Sequence, residues 1–585
     1  MRIPSNPPIA LVFATDLATA LTIQHRPLVA VTKPTKLSDW NNFGYRFQSD
    51  CYLLQTNGVV VPIETSLMFA GGRDTSTVIS ELVAGVGWID ATSINLYFCS
   101  LMHSEEDYRA LVIAVGLEMA ATVLRRLGDA VVLNLEGGDP NQLALIESDA
   151  FFLSMLRQDK SWTALRRGSR HFRYVPLVET SDAANSFSMV VDLPSADNRY
   201  RVDFDFTNDR LIRDRFAVLI GRNGAGKSQL LLSIIEGLAN SNIHLVPRRQ
   251  RVRFKHDDKG TQKFGAPKFS RIVAFTSTPS DAYPSQIDPW LGIDYQYFSM
   301  TQRAQSHFDS LTISLIDCLR DDFRSTFPNI SVSISPFTTT GGRIALLGHI
   351  LGPLGLWDSL YLPLKMNSES RPYTDFTWNE RGYVKVGRRY GEQANLRFYR
   401  QIDLTAAPVI FDRSRFEPRH LSSGETAMFR FAAQATAAAE NGTLFLFDEP
   451  ETHLHPHYVS EFVEILHLLL TATKSVAIAA THSAYLVREA PSQRVRVISV
   501  DDRIVSISRP RLQTFGASID SISKAVFADL ETSHQYQTTL QRWVDTLPVD
   551  IQIEAVIAEF GEDMNSETLS LVRRLLNTRQ RGVGA

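Results

Sequence analysis

Two short runs of this chain hold the residue types that phosphate chemistry needs. Residues 221–228 read Gly-Arg-Asn-Gly-Ala-Gly-Lys-Ser, a complete GxxxxGK(S/T) spacing. Glycines let such a loop turn so that its N–H groups converge on phosphate oxygens, and a helix starting at the lysine adds the positive end of its dipole. Gly221, Asn223, Gly224 and Gly226 are therefore candidate ATP-binding residues together with Lys227 and Ser228. Lys227 would neutralise β- and γ-phosphate charge, and the Ser228 hydroxyl would ligate Mg²⁺. The second run is Thr443-Leu-Phe-Leu-Phe447, which ends in Asp448-Glu449. An apolar strand closed by two acids brings them to the carboxyl edge of a sheet, where α/β proteins bind ligands. Strand neighbours point in different directions, so the two can divide the work. Asp448 would hold Mg²⁺ and Glu449 would polarise the attacking water.

These runs need elements to position them. Residues 216–220 are apolar and read as a buried strand entering the loop, with a helix over 229–238 leaving it. Residues 271–275 and 475–480 read as further core strands. Residues 188–193 and 201–206 alternate like strands. Farther along, 495–500 and 504–508 look like a hairpin around Asp501-Asp502. Near the start, 45–54 and 59–68 look like a hairpin closed at Asn57-Gly58. Ser104 with Asp107 reads as the cap of a helix running to Gly128.

Composition bounds the rest. At 585 residues the chain should hold several packed units, and 44% hydrophobic with 21% charged residues describes a core-forming chain. A net charge of -3 excludes a polycation, so any nucleic-acid contact must come from a local patch. One candidate exists: Arg249, Arg251 and Arg253 alternate with Val252 and Phe254, giving a strand with one basic face. That face is either a nucleic-acid patch or a solvated edge strand whose charges deter aggregation. Cys51, Cys99 and Cys318 are scattered, lack the spacing of a zinc site and suit a reducing cytosol. Asp16 interrupts the apolar run of residues 8–23, which reads as mature structure. With no uninterrupted apolar run of about 18 residues, a cytoplasmic location without membrane contact is expected.

Leu421-Ser-Ser-Gly-Glu425 precedes the acidic strand. It satisfies a helix capping box, and it is also similar to the ABC signature LSGGQ, with Ser423 and Glu425 as departures. Asp448-Glu449-Pro450-Glu451-Thr-His-Leu-His-Pro456 resembles the Walker B and D-loop run of RecF-like and OLD-like ATPases. His482, in Thr481-His482-Ser483, resembles the switch histidine that contacts the γ-phosphate. The resemblance implies an α/β fold: an ABC-type ATPase head, meaning a P-loop NTPase core with an antiparallel β subdomain, carrying large α+β insertions and a C-terminal helical segment. It implies catalytic roles for Glu449, His482 and Lys227. It implies a homodimer or higher oligomer of heads in which Ser422, Ser423, Gly424 and Glu425 act in trans on ATP bound by a neighbouring copy. The family's Gln after the strand between the two halves of the site is missing; Thr276-Ser-Thr-Pro-Ser-Asp281 stands there.

The phosphate-loop-to-signature distance is longer than transporter heads allow, and the 241–420 insert lacks the sustained heptads of SMC arms. Trp40-Asn-Asn-Phe-Gly-Tyr45, residues 273–281 and residues 514–523 resemble the PtuA family, the ATPase subunits of Septu-type antiphage defence, relatives of which accompany some retrons. That resemblance implies an HNH nuclease partner and a chain that senses DNA, retron RNA/DNA or nucleotide while the partner cuts. No HNH, TOPRIM or D…ExK pattern of its own is legible. The expected domains are residues 1–185, an N-terminal α+β region of unassigned role; 186–300, the ATPase N-lobe; 301–420, a helical insert lobe; 421–510, the ATPase C-lobe; and 511–585, a C-terminal helical region suited to partner docking.

Overall fold

The computed structural model describes residues 9–35, 44–174, 177, 183–184, 186–206, 215–239, 252–258, 261–277, 283–284, 293–300, 309–321, 327–334, 337–366, 374–387, 398–412, 414–452, 454–527, 535–548, 551–561, 564 and 566–583. Residues 1–519 and 520–585 form two separate compact units.

At the centre of the first unit lies a seven-stranded sheet. Its order runs Tyr295–Ser299, Arg271–Thr276, Thr443–Asp448, Val476–Thr481, Phe216–Gly221, Val495–Asp501, Ile504–Ser508. All neighbours are parallel except the last pair, which forms the expected hairpin around Asp501-Asp502. Asp502 and Arg503 take positive φ there, as a tight turn of this hand requires. The central strands are buried along their whole length and carry unbroken apolar runs, the pattern of a sheet covered on both faces. Register aligns Thr276 with Asp448, Asp448 with Ala480 and Ile220 with Thr481. Because these strands run parallel, the carboxyl ends of four of them gather at one edge.

A four-stranded antiparallel sheet, ordered Thr261–Phe264, Arg253–Asp258, Ser186–Val191, Tyr200–Asp205, shares a core with the central sheet and the helix Lys227–Ala239. Strand Arg253–Asp258 pairs on both sides, with 187–190 and with 261–264. The pairing with 261–264 begins at Lys255, so Arg253 itself is paired only on the 187–190 side. Arg253 is exposed, whereas Arg249 and Arg251 lie outside the described residues.

Residues before 175 build a five-stranded sheet and helices around their own core, including Phe13, Phe69, Tyr108 and Phe151. The hairpin expected over 45–54 and 59–68 forms only between Asp50–Leu54 and Val60–Ile63, while Thr65–Phe69 is a separate strand that pairs with Phe98–Met102. The helix expected over 104–128 is two helices, Glu105–Val115 and Leu117–Arg126, because Gly116 breaks the chain at φ 79°. Between the two halves of the site, the reading of helix and loop signals missed a five-stranded antiparallel sheet, ordered 376–378, 381–385, 360–363, 409–412, 417–420. Its strands are three to five residues long, too short for periodicity to show. Cys51, Cys99 and Cys318 are buried free thiols.

In the second unit, helices Gln535–Thr546, Ile553–Phe560 and Ser566–Val583 meet around Val544, Val556, Val572 and Leu576. No helix among the described residues is long and apolar enough to cross a membrane.

Candidate nucleotide site

The glycine loop leaves strand Phe216–Gly221 at the gathered edge and enters helix Lys227–Ala239. Gly224 and Gly226 hold φ near +81° and +82°. A Cβ on Gly226 would lie 2.8 Å from the Tyr200 hydroxyl and 2.9 Å from Ser195 Oγ, so only glycine fits. The Tyr200 hydroxyl also donates to the Ala225 carbonyl at 3.1 Å, which lets the antiparallel sheet brace the loop. Lys227 Nζ donates to the carbonyls of Gly221 and Arg222 at 2.9 and 3.1 Å. Burial lowers its ammonium below the ordinary lysine value, against the pull of Glu449, Asp448 and Glu451.

Asp448 is 220 residues from Ser228 in sequence but meets the loop directly. Ser228 Oγ donates to Asp448 Oδ1 at 3.0 Å. A hydroxyl and a carboxylate brought together at the head of a helix are the oxygen donors that a hard, octahedral cation such as Mg²⁺ accepts. Burial raises the Asp448 carboxyl above its usual range, although the Ser228 and Tyr283 hydrogen bonds oppose this. Bound Mg²⁺ would screen phosphate charge, and Ser228 and Asp448 would hold it.

Glu449 follows with a left-handed φ of 52°, and its N–H donates to the Ala480 carbonyl at 2.8 Å. His482 Nδ1 stands 3.3 Å from Glu449 Oε1 and 3.8 Å from Glu451 Oε1. Lys227, Ser228, Asp448, Glu449 and His482 thus meet at one sheet edge.

Ser422 caps helix Ser423–Ala438, and both halves of the capping box form: Ser422 Oγ accepts from the Glu425 N–H at 3.3 Å, and Glu425 Oε2 accepts from the Ser422 N–H at 2.8 Å. Arg419 grips the same carboxylate with two parallel bonds, Nη1 to Oε2 at 2.8 Å and Nη2 to Oε1 at 2.7 Å. Arg419 holds the Glu425 carboxyl down at about 2. Any Cβ on Gly424 would run into the Tyr458 ring on helix Pro456–Thr473. Ser422 and Ser423 are exposed.

Sequence reading missed Tyr283 and left Glu451 without a role. The Tyr283 hydroxyl donates to Asp448 Oδ2 at 3.1 Å and lies 3.3 Å from the Ser228 carbonyl. It comes from the segment where the family's Gln is missing. Gln286 lies outside the described residues. No local signal marks Tyr283, because its reach to Asp448 depends on the pairing of strand 271–276 with 443–448. Tyr283→Phe is expected to remove one of the two side-chain bonds that orient Asp448. The Mg²⁺ concentration giving half-maximal nucleotide binding should then rise several-fold, read by titrating Mg²⁺ against a fluorescent ATP analogue. An unchanged midpoint would leave Tyr283 a packing residue.

Sheet and loop together make an α/β fold with a strand–glycine loop–helix unit at the carboxyl edge of its parallel strands. Residues 403–488 match the family model described as "AAA domain, putative AbiEii toxin, Type IV TA system", a stretch that contains Ser422–Glu425, Asp448–Glu449 and His482 but not the glycine loop. The chain is similar to Protein ea59 of Escherichia phage lambda, at 23% identity over 451 residues, covering 76% of this chain and 77% of that protein. Among solved structures it is similar to the SMC head domain from Thermotoga maritima, at 13% identity and a TM-score of 0.26, covering 56% of this chain and 100% of that one. It is similar also to UvrA2 from Deinococcus radiodurans, at 15% identity and a TM-score of 0.29, covering 66% and 43% of the two chains.

Proposed function

We propose that this chain binds ATP with Mg²⁺ at the gathered sheet edge, hydrolyses it, and works as at least a dimer of heads. The observation that carries the reading is one constellation: Ser228 bonded to Asp448 at 3.0 Å, with Glu449 beside His482 at 3.3 Å on the adjoining strand end. Glu449 takes the proton of the attacking water as its oxygen bonds the γ-phosphorus and the bond to the β,γ-bridging oxygen breaks, releasing ADP; Lys227 balances the charge on that oxygen, and His482 holds the γ-phosphate side. Ser422 to Gly424 of a second copy complete the site; the exposure of Ser422 and Ser423 in one copy supports this. Lys227→Ala is the test. It should abolish nucleotide binding and the nucleotide-dependent rise in mass by light scattering. Retention of both would overturn the reading.

At a finer level, the head serves as the switching subunit of a Septu-like antiphage complex, restraining or positioning an HNH nuclease. The resemblance of residues 514–523 to the PtuA family supports this role, and their first residues are tied to the helix that follows His482. The Thr514 hydroxyl donates to the Ala490 carbonyl at 2.5 Å and the Gly516 N–H to the Arg488 carbonyl at 3.0 Å, just past His482. Co-purification with a neighbouring HNH protein, lost on Lys227→Ala, supports this role; a free head with no partner counts against it. A DNA-clamping repair ATPase is the second reading, favoured by the exposed Arg253. It requires that neutralising Arg249, Arg251 and Arg253 together weaken DNA binding and flatten its salt dependence.

A further inference from the structure

Glu451 lies two residues past the acidic pair, where the chain turns out of the sheet, and it is only 8% exposed. Its Oε1 accepts from the Thr481 hydroxyl and from the His482 N–H, the latter at 3.3 Å. The Thr481 hydroxyl in turn accepts from the Ser483 N–H at 2.9 Å. One carboxyl oxygen therefore fastens all three residues of the histidine turn to the segment that carries Glu449. The turn is itself fixed: the Thr452 N–H donates to the Glu449 carbonyl at 3.2 Å and the Leu454 N–H to the Glu451 carbonyl at 2.9 Å. The other oxygen, Oε2, is buried and has no hydrogen-bond partner among the described residues. An ionised carboxylate with one bare buried oxygen is costly, and burial here raises the carboxyl above its usual range. The geometry thus uses an acceptor at Oε1 and makes no use of a charge at Oε2.

We propose that Glu451 is the positioning residue for His482, acting as a hydrogen-bond acceptor that sets the distance between His482 and Glu449. This rests on the ATPase reading for its catalytic consequence but not for its structural one. Glutamine offers the same acceptor oxygen and alanine offers none. In the full-length chain, Glu451→Ala should lower kcat by about 10²-fold, the scale of a misplacement near 1 Å, with the Kd for a fluorescent ATP analogue unchanged. Glu451→Gln should restore kcat to within a few-fold of wild type. In histidine-labelled protein, the imidazole signal of His482, assigned with His482→Asn, should move in the alanine variant and stay in place in the glutamine variant.

Three results would overturn the proposal. An unmoved His482 signal in the alanine variant would do so directly. A glutamine variant as slow as alanine would mean that the charge matters. A kcat loss matched by loss of nucleotide affinity and of melting temperature would mean a structural role only. Absence of turnover in the wild type would remove the ATPase reading, and the His482 signal would still decide the positioning claim.

Discussion

Exchanging Glu449 for Gln is expected to lower ATP turnover by about 10²–10⁴-fold, the range that a positioned general base supplies, while ATP still binds. The side chain keeps its length and its backbone anchor, because the N–H bond to the Ala480 carbonyl at 2.8 Å involves no side-chain atom. The lost property is the carboxylate. An amide cannot take a proton from water, and His482 Nδ1, 3.3 Å away, loses its anionic neighbour. Lys227, Ser228 and Asp448 stay as they are, so the binding half of the site should be intact. If hydrolysis is what reopens two heads, the variant should accumulate as a dimer in ATP and Mg²⁺ and return to monomer on Mg²⁺ removal. Single-turnover hydrolysis and size exclusion with and without chelator measure the two effects. Undiminished turnover would show that another group takes the proton. Loss of ATP binding would show that Glu449 shapes the pocket.

The same contrast explains what the sequence made legible. The glycine loop, Asp448-Glu449 and His482 can be read because the chemistry fixes residue type and local spacing at once. Gly226 must be glycine, since the Tyr200 hydroxyl and Ser195 Oγ leave no room for a Cβ. The parallel strands around them are legible from short apolar runs such as 216–220 and 443–447. Tyr283 and Glu451 act across strand pairings, and Glu451 has the same letter whether it faces water or the Thr481 hydroxyl. Alternation around Arg253 shows a strand's two faces but not how many neighbours it has. Gly116, read as one residue inside a long helix, required a positive φ that composition does not announce. Least visible of all was the purpose of the region before residue 175, because its contacts with the head, such as Arg166 to Asp317 and Arg167 to Ala437, join residues 151 and 270 positions apart.

Those contacts lead to the second large effect: Arg343→Ala is expected to destabilise the first unit by about 3–5 kcal/mol, the cost of breaking a buried ion pair by removing one partner. Arg343 is 2% exposed. Its Nε bonds Asp321 Oδ2, and its Nη2 lies 3.1 Å from Glu440 Oε1. Its Nη1 donates to the carbonyls of Thr436 and Ala439, both at 2.6 Å, at the end of helix Ser423–Ala438. Arg167 donates to the Ala437 carbonyl at 2.7 Å, and Arg271 caps Ala438. Carbonyls in the last turn of a helix lack internal partners, and here arginines from three separate segments supply them. The acids interlock in turn: Asp321 also meets Arg167 at 2.9 Å, Asp294 meets Arg271 at 2.5 Å and Arg170 at 3.1 Å, and Glu105 meets Arg170 at 3.1 Å. Burial opposes charge on Asp294, but Arg170, Arg271 and Arg173 outweigh it and hold the carboxyl at about 2. Its folded pKa is depressed, so its contribution is full above the ordinary value of 3.8 and is lost as pH falls toward 2. Arg343→Ala leaves Asp321 and Glu440 short of a partner and frees two helix-end carbonyls. Arg343→Lys keeps a charge, loses the fork and should cost less. Denaturant midpoints followed by amide exchange in helix Ser423–Ala438 would measure both, and a loss below about 1 kcal/mol in the alanine variant would place the network with ordinary surface pairs. Arg167 and Arg170 belong to the N-terminal region, so that region clamps the far end of the helix whose near end presents Ser422 and Gly424. A head lacking residues before 175 would carry Asp294, Asp321 and Glu440 stripped of Arg167, Arg170 and Arg173, and helix Ser423–Ala438 would lose part of the anchor at its far end.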